Sequence, residues 1–414
     1  MSAPASVIAV DGGDLSLGGG LLALVRPALM RLEEGGVLAV LSRNRDADHD
    51  LPSWCRAERH EYLGVEESGD DVRRYLIGRG RFAQRLPVSE EDSLLRAQEP
   101  LTTSAFLQSM PMPDRADPVT GFAPRGTAVE AGGPTYPFDL VERAHLAPPE
   151  VAELYDQAVA AQWDASRDIP WARVGTHAPE LDAAIRQIMS FLAENELSAL
   201  YLPSKFISRI HPAYVEVAMF LATQLQDEAR HIDVFLKRAR LASGVAISSV
   251  ATSRSLLSLL QLQDFSESAF LLSVLGEGTF LDLLSFIECH APDEATAELV
   301  RRARNDESRH VHFGLAHIRY ALSHDPSLYP RLEAAVRRRA TTLAGVGSVP
   351  APVQDSLTIL AAGGIDARSV RRGHEAFRDL LDTMHESRIK RLLHAGFNAE
   401  QAETISALHT PNFM

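Results

Sequence analysis

Two stretches of this sequence share one unusual pattern, LQDEARHIDVF at residues 225–235 and RNDESRHVHF at residues 304–313. Each contains Asp-Glu-x-Arg-His, and each follows an acidic residue set in an apolar helical stretch. Glu and His three positions apart point the same way on a helix, so one turn presents an oxygen and a nitrogen donor together. A single Glu-x-x-His pair is usually an exposed capping or salt-bridge arrangement, but two copies favour two metal-binding turns.

Two such turns, with one lone carboxylate from each of two further helices, put four carboxylates and two imidazoles in a bundle core. Oxygen-rich ligation without thiolate suits two divalent first-row metals and favours iron or manganese over structural zinc. We therefore predict a carboxylate-bridged centre of two iron ions, with a manganese–iron pair as the alternative. The predicted ligands are Glu196, Glu228, His231, Glu277, Glu307 and His310.

The first lone carboxylate has two candidates, Glu194 and Glu196. Glu196 continues an apolar stripe that includes Ile185 and Leu192, whereas Glu194 shares its face with Gln187. The helical phase therefore favours Glu196 as the residue that faces the core.

The order of patterns along the chain predicts a multidomain α+β protein. Residues 6–82 alternate short apolar runs, VIAV, VLAVLS and RRYLIG, with two helical patterns, LLALVRPALMRL and LPSWCRAERHEYL. This alternation predicts a small two-layer α/β domain over 1–83. The Pro- and Gly-rich segment 84–149 is predicted to be a linker along the surface. An all-α bundle is expected over 150–325, with a helical extension over 326–414.

Helix signals after residue 150 give eight predicted helices. They lie near 179–202, 212–242, 254–289, 293–323, 328–345, 352–362, 366–394 and 398–408.

Charge and cysteine content narrow the partners and the compartment. The formal net charge is −14, with no basic stripe to offset it, so we expect neither nucleic acid nor an anionic membrane as a partner. The two cysteines, Cys55 and Cys289, suit a reducing compartment, and no targeting segment or membrane-length apolar run is expected. The cytoplasm is therefore the predicted location.

The repeat and its lone acids resemble the ferritin-like di-iron carboxylate superfamily over residues 185–320. Oxygen-activating members include ribonucleotide reductase small subunits, multicomponent monooxygenases and acyl-carrier-protein desaturases. The interval from Glu196 to Asp227 is two residues longer than that from Glu277 to Asp306. Ala303 stands one turn before Glu307, so the three-histidine site of the arylamine N-oxygenases is not matched.

The resemblance also implies roles for the individual residues. One metal would be held by Glu196, Glu228 and His231, the other by Glu277, Glu307 and His310, with Glu228 and Glu307 bridging. Asp227 and Asp306 would each orient a histidine of the opposite helix pair and would pair with Arg230 and Arg309.

The space beside the metals is predicted to be lined by Gln224, Gly276, Gly278 and Thr279. The two glycines, which weaken a helix, leave room for dioxygen or substrate on this interpretation. Close helix packing explains them equally well, and a buried glutamine is more often simply hydrogen-bonded in the core.

Residues 8–82 resemble the TusA/SirA-like sulfur-carrier family in DLPSWCRAERHEYL (50–63), RRYLIGRG (73–80) and the helix LLALVRPALMRLEEG. The family's persulfide-carrying Cys-Pro-x-Pro aligns with Gly18, Gly19, Gly20 and Leu21, so the usual sulfur relay lacks its thiol. Cys55 lies among apolar neighbours and is predicted to be a buried structural thiol.

Together these features predict an oxidoreductase in which a reduced di-iron pair activates dioxygen and a small organic substrate is hydroxylated, desaturated or N-oxygenated. An external electron donor is expected, because no flavin, haem, iron–sulfur or nicotinamide motif is visible. A homodimer is compatible with the sequence. The alternatives are a non-catalytic iron-binding ferritin relative and a sulfur-transfer adaptor.

Overall fold

The computed structural model describes residues 8–69, 71–80, 101–127, 129, 132–344 and 349–408. The chain divides into two compact units, Met1–Ala97 and Gln98–Met414. The first unit carries a small mixed sheet and the second is helical, so the predicted α+β fold class is confirmed.

The first unit holds a four-stranded sheet in the order β1-β2-β4-β3, formed by Ile8–Asp11 (β1), Val37–Ser42 (β2), Glu61–Glu67 (β3) and Arg73–Gly78 (β4). Strands β1 and β2 are parallel, and the other pairings are antiparallel. Two helices lie in the part of this unit that the structure describes. The first is Leu22–Met30 (α1), preceded by a π-helical turn at Leu17–Leu21, and the second is Ala47–Ala57 (α2).

The pattern LPSWCRAERHEYL does not form one helix. Helix α2 ends at Ala57, and Arg59 has a left-handed backbone with φ of 60°. A left-handed residue cannot continue a right-handed helix, so the chain turns there and Glu61–Glu67 pairs with β4. Strand β3 was therefore missed by the sequence analysis.

Four long helices build the core of the second unit. They are Pro179–Ile207 (α5), Val215–Leu241 (α6), Phe265–Cys289 (α8) and Glu294–His324 (α9). Helix α5 packs along α6, α8 packs along α9, and α6 also contacts α9. Leu192, Val234 and Leu284, which are fully buried, belong to the common apolar core. This arrangement is a ferritin-like bundle.

Seven further helices surround these four in the described part of the second unit. They are Thr103–Gln108 (α3), Val151–Ala160 (α4), Val250–Leu260 (α7), Leu328–Leu343 (α10), Ala351–Ala362 (α11), Ala367–His394 (α12) and Ala399–Leu408 (α13). Helix α11 packs on α5, and α12 packs on α8.

The predicted helix 254–289 is wrong as a single element. The structure has α7 and α8 in its place, with the break at 261–264. The Asp264 carboxylate accepts a hydrogen bond from the backbone N–H of Glu267 at 2.9 Å and so caps the start of α8. The Asp-x-x-Glu pattern at 264–267 is the signal that the periodicity argument overlooked.

The segment predicted to be a surface linker, 84–149, differs from that description where the structure describes it. Ala116, Leu146 and Ala147 are buried and join the apolar core of the helical unit. The Tyr214 hydroxyl at the start of α6 donates to the carbonyl oxygen of Val141 at 2.7 Å. Residues 84–100 lie outside the described part of the chain.

Helix α8 is the one described helix that is long and apolar enough to cross a membrane, with a mean hydropathy of 1.7. The sequence analysis expected no such run. Of its most apolar stretch, 78% is buried inside the unit. Its position in the bundle core accounts for its composition, since a helix that is apolar all round is buried.

Candidate metal centre

The six predicted ligands lie together in the bundle core. Helix α5 carries Glu196 and helix α8 carries Glu277, while α6 and α9 each carry a Glu-x-x-His pair. All six side chains belong to residues that are at most 4% exposed: Glu196, Glu228, His231, Glu277, Glu307 and His310. Helical phase directs each of these side chains toward the bundle axis, and the packing of the four helices brings them together.

These side chains form two overlapping groups of donor atoms. The first consists of Glu196, Glu228, His231 and Glu307, and the second of Glu228, Glu277, Glu307 and His310. Within each group the donor atoms lie within 4.8 Å of one another. Glu228 and Glu307 belong to both groups, which is the arrangement needed for two carboxylates to bridge two ions.

Both histidines turn Nδ1 toward the carboxylates. His231 Nδ1 lies 3.2 Å from Glu307 Oε1 and 3.6 Å from Glu228 Oε2. His310 Nδ1 lies 3.1 Å from Glu228 Oε1 and 3.3 Å from Glu307 Oε2. Each imidazole therefore contacts both shared acids.

The electrostatics of the protein alone are unfavourable. Burial and the negative charge of Glu228 raise the pKa of Glu196 well above its ordinary value. Burial and the charge of Glu307 do the same to the pKa of Glu277. Burial by itself would lower the pKa of His231, but the nearby carboxylates of Asp306 and the cluster glutamates raise it well above its ordinary value.

Several carboxylate oxygens in the cluster are buried without a hydrogen-bond partner among the described residues. They are Glu196 Oε1, both oxygens of Glu228, Glu277 Oε2 and Glu307 Oε1. A buried carboxylate is costly unless a donor or a cation satisfies it. The donor set and these unsatisfied oxygens therefore fit two metal ions.

Asp227 and Asp306 contact the Nε2 atoms of the two imidazoles, on the side away from the cluster. His231 Nε2 lies 3.2 Å from Asp306 Oδ2, and His310 Nε2 lies 3.3 Å from Asp227 Oδ2. Each aspartate thus reaches the histidine of the other repeat. This contact fixes which ring nitrogen faces the cluster and keeps the imidazole oriented.

Two arginines neutralise these aspartates. Arg230 and Arg309 each pair with both Asp227 and Asp306. Burial opposes ionisation of Asp306, but hydrogen bonds from His231 and Trp163 and the charges of His231 and Arg309 hold its pKa below the ordinary value. Asp306 is therefore ionised, and its negative charge balances the positive charges of Arg230 and Arg309.

The sequence analysis missed two residues of this network, Gln162 and Trp163, which follow α4. Trp163 Nε1 donates to Asp306 Oδ2 at 2.8 Å, and Gln162 Nε2 donates to Asp227 Oδ1 at 3.1 Å. The Arg230 guanidinium lies over the Trp163 ring, 4.7 Å from its centroid. Trp163 and Asp306 are 143 positions apart, so no local pattern links them.

Glu277 lies at the end of a π-helical segment of α8, Phe270–Glu277. Wider turns of this kind are frequent at functional sites. Gln224 Nε2 on α6 donates to Glu277 Oε1 at 3.1 Å and orients that carboxylate. Gln224 also lines a small cavity of about 20 Å³ with Leu272, Ser273 and Phe313.

Of the other predicted lining residues, Gly278 and Thr279 are in close contact with their neighbours. A methyl group at Gly278 would lie 2.6 Å from Nε of Arg391, so this glycine permits close packing of α12 on α8. The Thr279 hydroxyl donates to the carbonyl oxygen of Leu275 at 2.7 Å within α8. Gly276 is buried in the π-helical segment.

The structure separates the two candidates for the first acid. Glu196 lies in the cluster, whereas the Glu194 carboxylate accepts a hydrogen bond from the Ser248 hydroxyl outside it. Two positions along a helix correspond to a rotation of about 200° around its axis, so the two side chains point to nearly opposite sides. Only one of them can face the bundle axis.

Cys55 is buried in the core of the first unit and is 0% exposed. Burial raises the pKa of its thiol to about 11. The thiol is therefore protonated and shielded at neutral pH, and neither property suits a sulfur nucleophile.

These properties predict how the two cysteines react. With a maleimide at neutral pH, we expect the native protein to label at Cys289, which is exposed, and the denatured chain to label at both positions. A C289S variant should stay unlabelled until it is unfolded, as intact mass spectrometry would show. Rapid labelling of native C289S would show that Cys55 is accessible.

Comparisons with known proteins place the first unit. Residues 22–79 match the family described as Sulfurtransferase TusA. The matched range does not include Gly18–Leu21, for which the sequence analysis predicts an alignment with the family's Cys-Pro-x-Pro. The predicted TusA-like domain is thus confirmed over residues 22–79. A comparison with curated proteins found no match to this chain.

Among solved structures, the chain is similar to forms of an R2-like ligand-binding oxidase. One variant with an aerobically reconstituted Mn/Fe cofactor is 18% identical, with a TM-score of 0.41, over 63% of this chain and 93% of that one. A second such variant is 18% identical, with a TM-score of 0.43, over 60% and 92%. Likenesses this distant do not transfer an activity.

Proposed function

We propose that this protein is a non-haem di-iron oxidoreductase that uses dioxygen to oxidise a small organic substrate. The observation that carries the proposal is the pair of donor groups that share Glu228 and Glu307. Two carboxylates common to both groups imply two ions held close together, and mainly oxygen ligation favours iron, or manganese with iron, over zinc. When bound, the reduced metal pair supplies electrons for dioxygen reduction.

The protein's own residues prepare the site for that chemistry. Asp227 and Asp306 keep each histidine with Nδ1 directed to the cluster, so the rings need not reorient when metal ions bind. Gln224 holds one oxygen of Glu277 through its amide N–H. Burial of all these groups excludes bulk water, which strengthens their electrostatic interactions.

A small cavity lies beside Gln224, the residue that donates to Glu277. Its volume of about 20 Å³ is enough for one molecule the size of water or dioxygen. A larger organic substrate would have to displace Leu272 or Phe313, which line the cavity. Entry of a substrate through this cavity would therefore involve movement around the π-helical segment of α8.

Further electrons must come from outside the chain, since its sequence has no flavin, haem or iron–sulfur motif. We place the protein in the cytoplasm, because Cys55 and Cys289 are free thiols and suit a reducing compartment. A sulfur-transfer role is disfavoured by the burial of Cys55 and by Gly18.

Metal loading tests the proposal. Purified protein, freed of metal and reconstituted with Fe(II) without oxygen, should bind about two irons per chain, because the ligand set serves two ions. Admitting oxygen should then produce a visible absorption change and consume dioxygen. One tightly held zinc and no oxygen-reactive iron would overturn the proposal.

The same experiment separates an oxidase from an iron-handling relative. Bound iron should stay near two per chain when excess Fe(II) is supplied in air. Continued oxidation, with iron accumulating well beyond that ratio, would favour iron storage.

A further inference from the structure

A second cavity lies outside the metal centre and shares none of the six cluster residues. Its volume is about 320 Å³, within the range of small-molecule sites. Helices α5, α6 and α11 and the segment 245–252 form its walls. The apolar lining includes Leu197, Leu236 and Val353, one from each of these helices.

One charged group faces this cavity. Among the lining residues that the structure describes, Glu194 is the only ionisable side chain. It accepts a hydrogen bond from the Ser248 hydroxyl, and no cation pairs with it in the described ion pairs. A partly enclosed carboxylate without a cation attracts a positively charged group, since the apolar walls screen it less than water does.

The segment that closes the cavity is held in place by α5. The backbone N–H of Ala246 donates to the Ser190 hydroxyl at 2.9 Å, and Ser248 contacts Glu194. Between these attachments, Ile247 is 93% exposed. Val245, two positions earlier, is 55% exposed. Together the two residues form an apolar rim at the opening of the cavity to solvent.

From these features we infer that the cavity is a binding site for a primary alkylamine. The ammonium group would pair with the Glu194 carboxylate, and the alkyl chain would lie against Leu197, Leu236 and Val353. Contact with the chain would also remove Ile247 from water. A primary amine is protonated at neutral pH, so it supplies both the charge and the apolar surface that the site matches.

The site is distinct from the proposed oxidase centre although one helix serves both. Glu194 and Glu196 are two positions apart on α5, so one carboxylate reaches the cavity and the other reaches the metal cluster. Amine binding at Glu194 does not depend on whether the cluster activates dioxygen.

Isothermal titration of the metal-loaded full-length protein with octylamine tests the inference. We expect saturable binding to one site, and binding to E194Q weaker by about tenfold or more, the loss expected for one charge-assisted hydrogen bond. E180Q changes an exposed glutamate on the same helix and should bind octylamine like the wild type. Circular dichroism of both variants checks that they are folded.

Two further ligands isolate the role of charge. Octanol should bind more weakly than octylamine and alike to wild type and E194Q, while octanoate should not bind. Equal octylamine affinity in wild type and E194Q would overturn the inference. So would the absence of saturable octylamine binding, or tighter binding of octanoate than of octylamine.

Discussion

Replacing Glu228 with alanine is expected to empty both metal positions. Glu228 belongs to both donor groups and lies within reach of both histidines. Its loss removes a ligand and a negative charge from each group at once, so the iron bound after anaerobic loading should fall from about two per chain to near zero. Iron analysis and the absorption change on exposure to oxygen would both report the loss.

Two variants calibrate that result. E196A removes an acid that belongs to only one group. This variant should lose at least one ion and also the oxygen-dependent absorption change. E194A removes a carboxylate outside the cluster and should load iron like the wild type. If E194A emptied the centre while E196A left it filled, the assignment of the first acid would be wrong.

Replacing Asp306 with alanine is expected to lower the free energy of unfolding strongly. Asp306 accepts hydrogen bonds from Trp163 and Arg230 and contacts His231, all in the interior. Removing one partner of a buried ion pair leaves uncompensated charge and typically costs about 3–5 kcal/mol. Denaturant unfolding of the metal-free proteins would measure the change without a contribution from lost metal.

Asp233 on α6 provides the matched control. It pairs with Lys237 one turn away at the surface, where an ion pair contributes about 0–1 kcal/mol. D233A should therefore unfold close to the wild type. A D306A variant as stable as D233A would show that the arginines and His231 find other partners or solvent when the aspartate is absent.

Much of the metal centre was predictable because its elements are local. A Glu and a His three positions apart share a helix face whatever the tertiary structure, so each copy of the repeat identified its own pair. Helical phase also preferred Glu196 to Glu194, because burial selects the apolar face. The structure places Glu196 in the cluster and Glu194 outside it.

The errors in the fold arose where a short capping signal competes with periodicity. The apolar pattern continues through 254–289, yet Asp264 starts a new helix inside it. The pattern at 51–63 likewise hid the left-handed Arg59, after which the chain becomes a strand. Both breaks depend on one backbone conformation, to which a periodicity averaged over many residues is insensitive.

The sequence by itself determined the two repeated Glu-x-x-His turns, the lone acids that accompany them and the absence of a cysteine at residues 18–21, because each is a property of residue type and short spacing. Only the tertiary structure decided which acids are common to both donor groups, that Trp163 and Gln162 join the aspartate network, and that Glu194 faces a cavity. Those relations are distances between segments far apart in the chain, and they exist only once packing of the helices has set them.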